Sequence, residues 1–346
     1  MDHQTEKHDE IQDFLAKMKA IQINILKFIE NENTIKDDYQ SMIQFLAANK
    51  IHEDRHELKA LLHLISSISN NHHRNHDFFK KFQHILSFLK ESIHNFFTNY
   101  EIFQIFQSNK RILLFLFEEK IITPDESIAL TITKNKYISE FYPEYFYPEF
   151  KSIFTKETIQ KIESKNHQYK KIAIFSEKDP ESFEKKRKNG ENDENICQLI
   201  RNDSIDQFIK YVNRNKLSFS EVISPSIYET NPFLLNKNPS FIEYSALFGS
   251  VLIFRFLCIN EIVLTPSLWL FAIHGRNFEL TQQLEKEKIN PSSFKECFFE
   301  SIKCHHLQFA NYFDKKCNFN HEKDMNAVEV FIKFYNYEYI PNNMYD

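Results

Sequence analysis

The sequence predicts an all-α fold in which helix-turn-helix units stack into a solenoid, and three observations carry that expectation. The strings PSFIEYSALFG at Pro239 to Gly249 and TPSLWLFAIHG at Thr265 to Gly275 stand 26 residues apart, each followed by an apolar pattern of helical spacing. From Glu10 to Phe97 apolar residues recur at intervals of three and four, the mark of amphipathic helices. A helix, a turn, a second helix and a Thr-Pro restart occur twice, ending at Thr123–Pro124 and at Thr265–Pro266. One such unit cannot bury its apolar face alone, so the copies imply an array rather than a single catalytic pocket.

Taken in order, the first element runs from Glu10 to Ile29, where Ile11, Phe14, Leu15, Met18, Ile21, Ile25, Leu26, Phe28 and Ile29 recur at three and four, an amphipathic helix that packs rather than spans a membrane. Similar periodicity predicts helices over Tyr39 to Ala48, Glu57 to Ser69 and Asp77 to Phe97, with NNHHRNH at Asn70 to His76 as a polar joint. Between Tyr100 and Thr123 lies a helix pair with Asn109 at its turn. Pro124 and Pro266 fit a first helical turn, where the missing N–H has no partner to lose.

At Glu140 to Phe150 the string EFYPEYFYPEF places Pro143 and Pro148 five residues apart, and neither fits a helix interior. A packed connector whose rings close the end of a helical stack is expected, with an aromatic peptide-docking surface as the alternative. Lys178 to Asn195 mixes both charges densely and reads as a solvated linker or exposed helix end. Cys197 to Val212 supplies another copy with Asn202 at the turn, and Ser224 to Ser240 is too proline-rich for helix, so an extended loop covering one face is expected. The last copy, FKECFFESIKCHHLQFANYF, carries Cys304 where the two before it have Gly249 and Gly275. The organisation read from this pattern is an N-terminal helical region over 1–139, a connector and charged linker over 140–195, C-terminal repeats over 196–335 and a tail over 336–346.

Composition narrows the function. With 36 Phe against 3 Gly and 1 Trp, bulky side chains do the packing, and Asn is expected to take the left-handed positions at helix ends that Gly usually fills. A net charge of −5 argues against a dominant polyanion-binding surface, so no nucleic-acid partner is expected. The polar start MDHQTEKHDE lacks the apolar run of a secretory leader, and no stretch reaches the roughly 18 apolar residues of a membrane span. The 5 cysteines form no CxxC pair and fit reduced thiols. The cytoplasm is the expected location, with the nucleus the alternative; KKRK at Lys185 to Lys188 could serve as an import address but reads better as solvated surface.

The repeat pattern resembles the ankyrin repeat, through Ala246, Gly249, Ile253, Phe254, Phe256 and Leu257 in one copy and Pro266, Ala272, Gly275 and Leu280 in the next. Trp269 stands near the place of the usual His, and a spacing of 26 to 29 residues is short for that repeat, so shortened or absent β-hairpin fingers would follow. The whole chain also resembles a large family of ankyrin-like proteins of parasitic protozoa that carry a domain of unknown function. The strings that carry this are HELKALLHLISSISNNHH from His56, SNKRILLFLFEEKIITPDES from Ser108, YPEYFYPEF, SIYETN from Ser226, and FIEYSALFGS through SIKCHH over Phe241 to His306. The resemblance implies a helical-repeat protein without known catalytic residues.

Two constellations bear on chemistry. HEDRH, with His52, Glu53 and His56, matches the H-E-x-x-H zinc-hydrolase pattern, in which two His one helical turn apart hold the metal and the Glu acts as base. A solvated helix N-terminus is the plainer reading, since Asp54 and Arg55 are both charged. Cys304, His305 and His306 offer soft ligands near Cys297 and Cys317, but adjacent ligands at a turn converge poorly on one ion, and turn residues with buried thiols are expected instead. Three glycines in all, none clustered, leave no phosphate-cradling loop.

The expected function is therefore a non-catalytic protein-interaction scaffold that binds a partner protein through the concave face of the array and requires no cofactor. Tyr244, Phe248, Leu270, His274, Arg276 and Asn277 are the candidate contacts, being inner-helix or turn positions, and the last three are the ones expected to be exposed. A zinc-dependent hydrolase using HEDRH and a self-associating structural protein are the alternatives.

Overall fold

The computed structural model describes residues 2–75, 77–134, 141–164, 179–235, 237–317 and 325–341. Among them every regular element is helical, and the pairing of Val222 with Ser240 is an isolated bridge rather than a strand. The all-α class is thus present. The chain divides into two units, one of residues 1–96 with 245–346 and one of residues 97–244. This division cuts across the sequential organisation read above, because the first and last hundred or so residues share one core rather than forming separate regions.

The first unit begins with α1 (Asp2–Glu30), α2 (Lys36–Ala48), α3 (Arg55–Asn71) and α4 (Phe78–Phe96). Met18, Ile21, Ile25 and Ile29 on α1 are buried at the predicted spacing, as are Leu58, Leu61, Leu62, Ile65 and Ile68 on α3 and Phe82, Ile85, Leu86, Leu89 and Ile93 on α4. Each such side chain contributes about 1.5–3 kcal/mol relative to leaving it in water. α3 starts where Asp54 accepts the His56 and Glu57 N–H groups, at 2.8 and 2.9 Å. The buried Lys81 ammonium donates to the carbonyls of Ile29 and Asn31, at 3.1 and 2.6 Å, so a cation closes the negative end of α1.

The second unit holds α5 (Asn99–Phe106), α6 (Lys110–Glu118), α7 (Glu126–Lys134), α8 (Tyr142–Tyr145), α9 (Tyr147–Phe150), α10 (Lys156–Ser164), α11 (Pro180–Asn189), α12 (Asn195–Arg201) and α13 (Ile205–Asn215). Pro124 lies before α7, and Asp125 rather than the proline starts that helix by accepting from the Ile128 N–H at 2.9 Å. Pro143 and Pro148 stand in the first turns of two single-turn helices, where no backbone donor is lost. The rings around them are core: Phe141, Tyr142, Tyr145, Phe146, Tyr147 and Phe150 are all buried, which removes the aromatic docking surface and leaves the packed connector.

Of the two readings of the charged segment, solvated linker or exposed helix end, its described part is the helical one. Pro180 to Asn189 is helical, opened by Asp179 and closed by Gly190 in the left-handed conformation, and Arg187 is fully buried against Glu149, Glu184 and the Tyr145 carbonyl. The Glu149 carboxylate on another element explains this burial, since helical spacing shows only the Glu184 partner one turn away. The proline-rich run 224–240 is irregular as expected. It is also anchored, because the buried Lys110 ammonium donates to the Ile227 carbonyl at 2.6 Å and lies 4.8 Å from the centre of the Tyr145 ring.

The boundary between the units falls inside α14 (Phe241–Phe248), after which the first unit resumes with α15 (Val251–Ile259), α16 (Leu268–His274), α17 (Phe278–Lys286), α18 (Phe294–Lys303), α19 (Leu307–Cys317) and α20 (Met325–Lys333). α16 packs on α17 and α18, and α18 on α19 and α20. Trp269 is buried with its ring edge-on to Phe313 and its indole N–H on the Ile289 carbonyl at 2.8 Å.

The joints inside the helix pairs share one geometry. Asp203, Gly249, Arg276 and His305 all have positive φ, at 47°, 67°, 51° and 55°. At the third of these the Arg276 N–H donates to Ile273 O at 3.0 Å and the Asn277 N–H to Ala272 O at 3.2 Å; at the fourth the His305 N–H donates to Ile302 O at 3.1 Å and the His306 N–H to Ser301 O at 3.0 Å. This is the Schellman arrangement, which satisfies two carbonyls left over at a helix end. Gly249 is therefore the counterpart of Arg276 and His305, one place away from the alignment with Gly275 and Cys304 that the strings suggest. Gly275 itself is right-handed, at φ −73°. It is there for space: a Cβ on it would meet Leu247 O at 2.5 Å and Ala246 O at 2.6 Å, so the ends of α14 and α16 touch through backbone.

Among the described residues Asn does not take the left-handed places. Lys50, Lys216 and Glu261 hold three of them, each preceded by an Asn. Asn49, Asn215 and Asn260 donate their side-chain amides to the carbonyls of Phe45, Tyr211 and Phe256, at 2.8 Å in each case. The amide thus caps a carbonyl four residues back, a use that keeps Asn inside the helix end rather than beyond it.

Candidate functional site

The first unit encloses a layer of histidines. His72 follows α3, His73 is beside it, His274 ends α16, and His305 and His306 form the joint between α18 and α19. All but the half-buried His73 are buried. The residues at Asn70 to His76 are therefore not a plain polar joint, although His76 lies outside the described residues.

Each ring is tied to a different element. Around His305, Gln22 Nε2 donates to Nδ1 at 3.2 Å, Nε2–H donates to Ser67 Oγ at 3.2 Å, and the Ser67 hydroxyl donates to Phe334 O at 2.8 Å. These partners assign the neutral Nε2–H tautomer. Burial, followed by the charge of His72, pushes the His305 imidazole down to about 3. Gln22 also donates to Asn336 Oδ1 at 2.8 Å, and Asn336 to Ile302 O at 2.8 Å, so one buried network joins α1, α3, α18 and the segment after α20.

His306 is neutral by the same logic, with Nδ1–H on Ile273 O at 2.9 Å and Nε2 accepting from the His73 N–H at 3.4 Å. Burial holds it well below the ordinary histidine range. His72 lies edge-on to it with ring centres 4.6 Å apart, donates Nδ1–H to Cys304 O at 2.9 Å, and turns Nε2 toward Glu30 at 3.4 Å. Burial alone would raise the Glu30 carboxyl, but the hydrogen bond to His72 and the charge of Arg276, 2.7 Å away, hold it below the usual carboxylate range.

A second cluster lies on α16 and α18. His274 Nε2 is 2.5 Å from Glu300 Oε1, and Lys303 Nζ is 2.8 Å from the same oxygen. Burial would raise the Glu300 carboxyl, yet the hydrogen bond and charge of His274, with Lys303, bring it to about 2. One helical turn beyond Glu300, the fully buried Cys304 thiol is pushed well above its ordinary range by burial. The imidazole nitrogen, a carboxylate oxygen and Sγ all lie within 4.8 Å of one another. Cys304 thus converges with His274 and Glu300, and not with the adjacent His305 and His306.

The residues expected from the sequence fall in different settings. Tyr244 is buried and its hydroxyl accepts from Arg201 at 2.7 Å, and His274 is buried in the cluster just described, so the exposure expected of His274 is not found. Arg276 is half-buried and paired with Glu30, and Asn277 caps α17 by accepting the Leu280 N–H at 3.1 Å. Phe248 and Leu270 are half-buried. In HEDRH, His52 and Glu53 sit in the turn before α3 and His56 inside its first turn, so the two imidazoles do not share a helix face; His52 lies edge-on to Phe88. Among the described residues, the group of three metal-capable side chains is at His274, Glu300 and Cys304.

Glu30, His72 and Glu300 were not readable as site residues. The signal that was present is the Glu300–Cys304 spacing of four on a predicted helix, which puts both on one face. No helix among the described residues is long and apolar enough to cross a membrane. No family model, curated protein or solved structure matches this chain.

Proposed function

We propose that this chain is a non-catalytic interaction scaffold, an ankyrin-like stack of helix pairs that binds a partner protein through apolar side chains left outside the core. The observation that carries the reading is an exposed row on and after α15: Leu252 is 53% exposed, Ile259 79% and Val263 80%. Leu252 and Ile259 are two turns apart on one face, while Ile253, Phe254 and Leu257 of the same helix are buried. Single exposed aliphatics are ordinary, but two on one helix face with a third just beyond the helix offer a place for another surface to fit. This face belongs to the second helix of its pair, whereas the contacts expected from the sequence lie on first helices and turns. Phe248 and Leu270, both half-buried, remain the apolar members of that set with surface to offer.

The test is site-specific photo-crosslinking from position 263 in native lysate, with a second probe at Lys185 on α11. Crosslinks to a defined partner from 263 that vanish in the Leu252→Asp/Ile259→Asp variant support the reading. Equal crosslinking from both positions sinks it, and crosslinks to a second copy of the chain, with dimers in light scattering, favour the self-associating alternative.

A further inference from the structure

We propose that His274, Glu300 and Cys304 form a binding site for one zinc ion, which would staple α16 to α18. The three side chains supply one nitrogen, one oxygen and one sulfur ligand, the donor set that a borderline-soft divalent ion such as Zn²⁺ accepts. The inference stands apart from the scaffold reading, since an interaction surface needs no ion.

Geometry is the first argument. Tetrahedral zinc with ligand distances of about 2.0–2.3 Å separates its ligand atoms by roughly 3.3–3.8 Å. The three atoms here lie within 4.8 Å of one another, and the closest pair, His274 Nε2 and Glu300 Oε1, stands at 2.5 Å. Binding therefore needs that pair to open by about 1 Å and a pair at the 4.8 Å limit to close by a similar amount, a change on the scale of side-chain torsions.

Charge is the second. A carboxylate and a thiolate beside one divalent cation sum to zero, so the ion enters a buried site without leaving net charge there. Lys303 now shares the Glu300 oxygen that the metal would take, and its side chain is 26% exposed, so it can turn to solvent as the ion arrives. Cys304 gives up its thiol proton on binding, and that proton leaves to solvent past Glu300, whose side chain is 17% exposed.

Placement is the third. Glu300 is on α18, Cys304 caps that helix one turn later and His274 comes from the end of α16, so the ligands join two helices already packed on each other. A metal at such a point stabilises whatever state holds all three ligands together.

The test uses the metal-stripped full chain titrated with Co²⁺, which replaces zinc and reports thiolate ligation by a sulfur-to-metal charge-transfer band. One equivalent of Co²⁺ should produce that band together with tetrahedral ligand-field absorption, and Zn²⁺ should bleach both. Cys304→Ser should abolish the charge-transfer band while Cys297→Ser keeps it. His274→Gln should weaken Co²⁺ by more than the roughly 10–100-fold that outer-shell changes cost. Should Cys304→Ser fail to fold, Glu300→Gln, which alters a partly exposed group, carries the same expectation of weakened binding. A folded wild-type chain without the band, a band that survives Cys304→Ser, or binding lost in His52→Gln/His56→Gln but kept in His274→Gln would each overturn the proposal.

Discussion

Arg187 and Glu149 meet as a two-pronged fork, Nη1 on Oε2 at 2.8 Å and Nη2 on Oε1 at 2.9 Å, with the guanidinium fully buried. Arg187 Nη1 also donates to the Tyr145 carbonyl at 2.9 Å, while the Tyr145 hydroxyl donates back to the Arg187 carbonyl at 3.1 Å. The guanidinium lies 5.0 Å from the centre of the Phe183 ring as well. Burial opposes the charge, but the carboxylates of Glu149 and Glu184 outweigh it and keep Arg187 protonated.

Breaking this fork should unfold the second unit more easily. Glu149→Gln leaves a buried cation partly uncompensated, and Arg187→Lys cannot reproduce the paired geometry. Removing the charge with Arg187→Ala should cost about 3–5 kcal/mol. Urea denaturation followed by circular dichroism gives the size; a loss below about 1 kcal/mol, the range of exposed pairs, would show the fork to be incidental.

Gly275→Ala should destabilise the first unit even though its backbone angles suit any residue. The new methyl would press on two carbonyls, and overpacking of this kind costs about 1–3 kcal/mol. Thermal unfolding of the variant measures it. An unchanged Tm would mean that the contact between the ends of α14 and α16 is looser than described.

Acid should weaken the first unit in a defined window. Burial, then the charges of His72 and Arg276, lower His73 from 6.5 to about 4 in the folded chain. The unfolded chain binds the proton first as pH falls, so the stability contributed by neutral His73 is complete above pH 6.5 and is lost on the way down to about 4. Because the ring keeps part of its surface, we expect about 2 kcal/mol rather than the full shift. The loss of stability from pH 7 to pH 4.5, read from urea denaturation, should be smaller by about that amount in His73→Gln than in the wild type, with His305 and His306 supplying the rest; equal losses in both would remove His73 as the cause.

The thiols should react in two classes. Cys258 and Cys317 are half-buried, while Cys197, Cys297 and Cys304 are buried. Burial raises all of these thiols, Cys258 and Cys317 to about 11 and Cys297 to about 12, so native labelling should be slow and confined to the first pair. Mass spectrometry of briefly alkylated protein tests this, and early modification of Cys304 would contradict its placement.

Much of the helical content was legible because it needs only short-range periodicity. Ile21, Leu61 and Leu89 are buried where a stripe of three-and-four spacing puts them. What periodicity cannot show is which distant element a face meets. Arg187 looks like one more solvated charge until Glu149 stands opposite it, and Cys304 looks like a turn residue until His274 comes within reach. The register of Gly249 is not legible for a related reason, since a glycine kept for left-handed backbone and one kept for close approach are the same letter. His274, expected at the surface as the last residue of an inner helix, is drawn inward by Glu300 on the neighbouring helix.

The sharing of one core by residues 1–96 and 245–346 sets a timetable for synthesis. The middle of the chain has the partners of its own core by the time Tyr244 leaves the ribosome, whereas α1 to α4 must wait for those that residues 245–346 supply. In that interval the greasy stripes of the early helices are unsheathed, and a nascent chain stalled between the two events is the species that chaperones would meet.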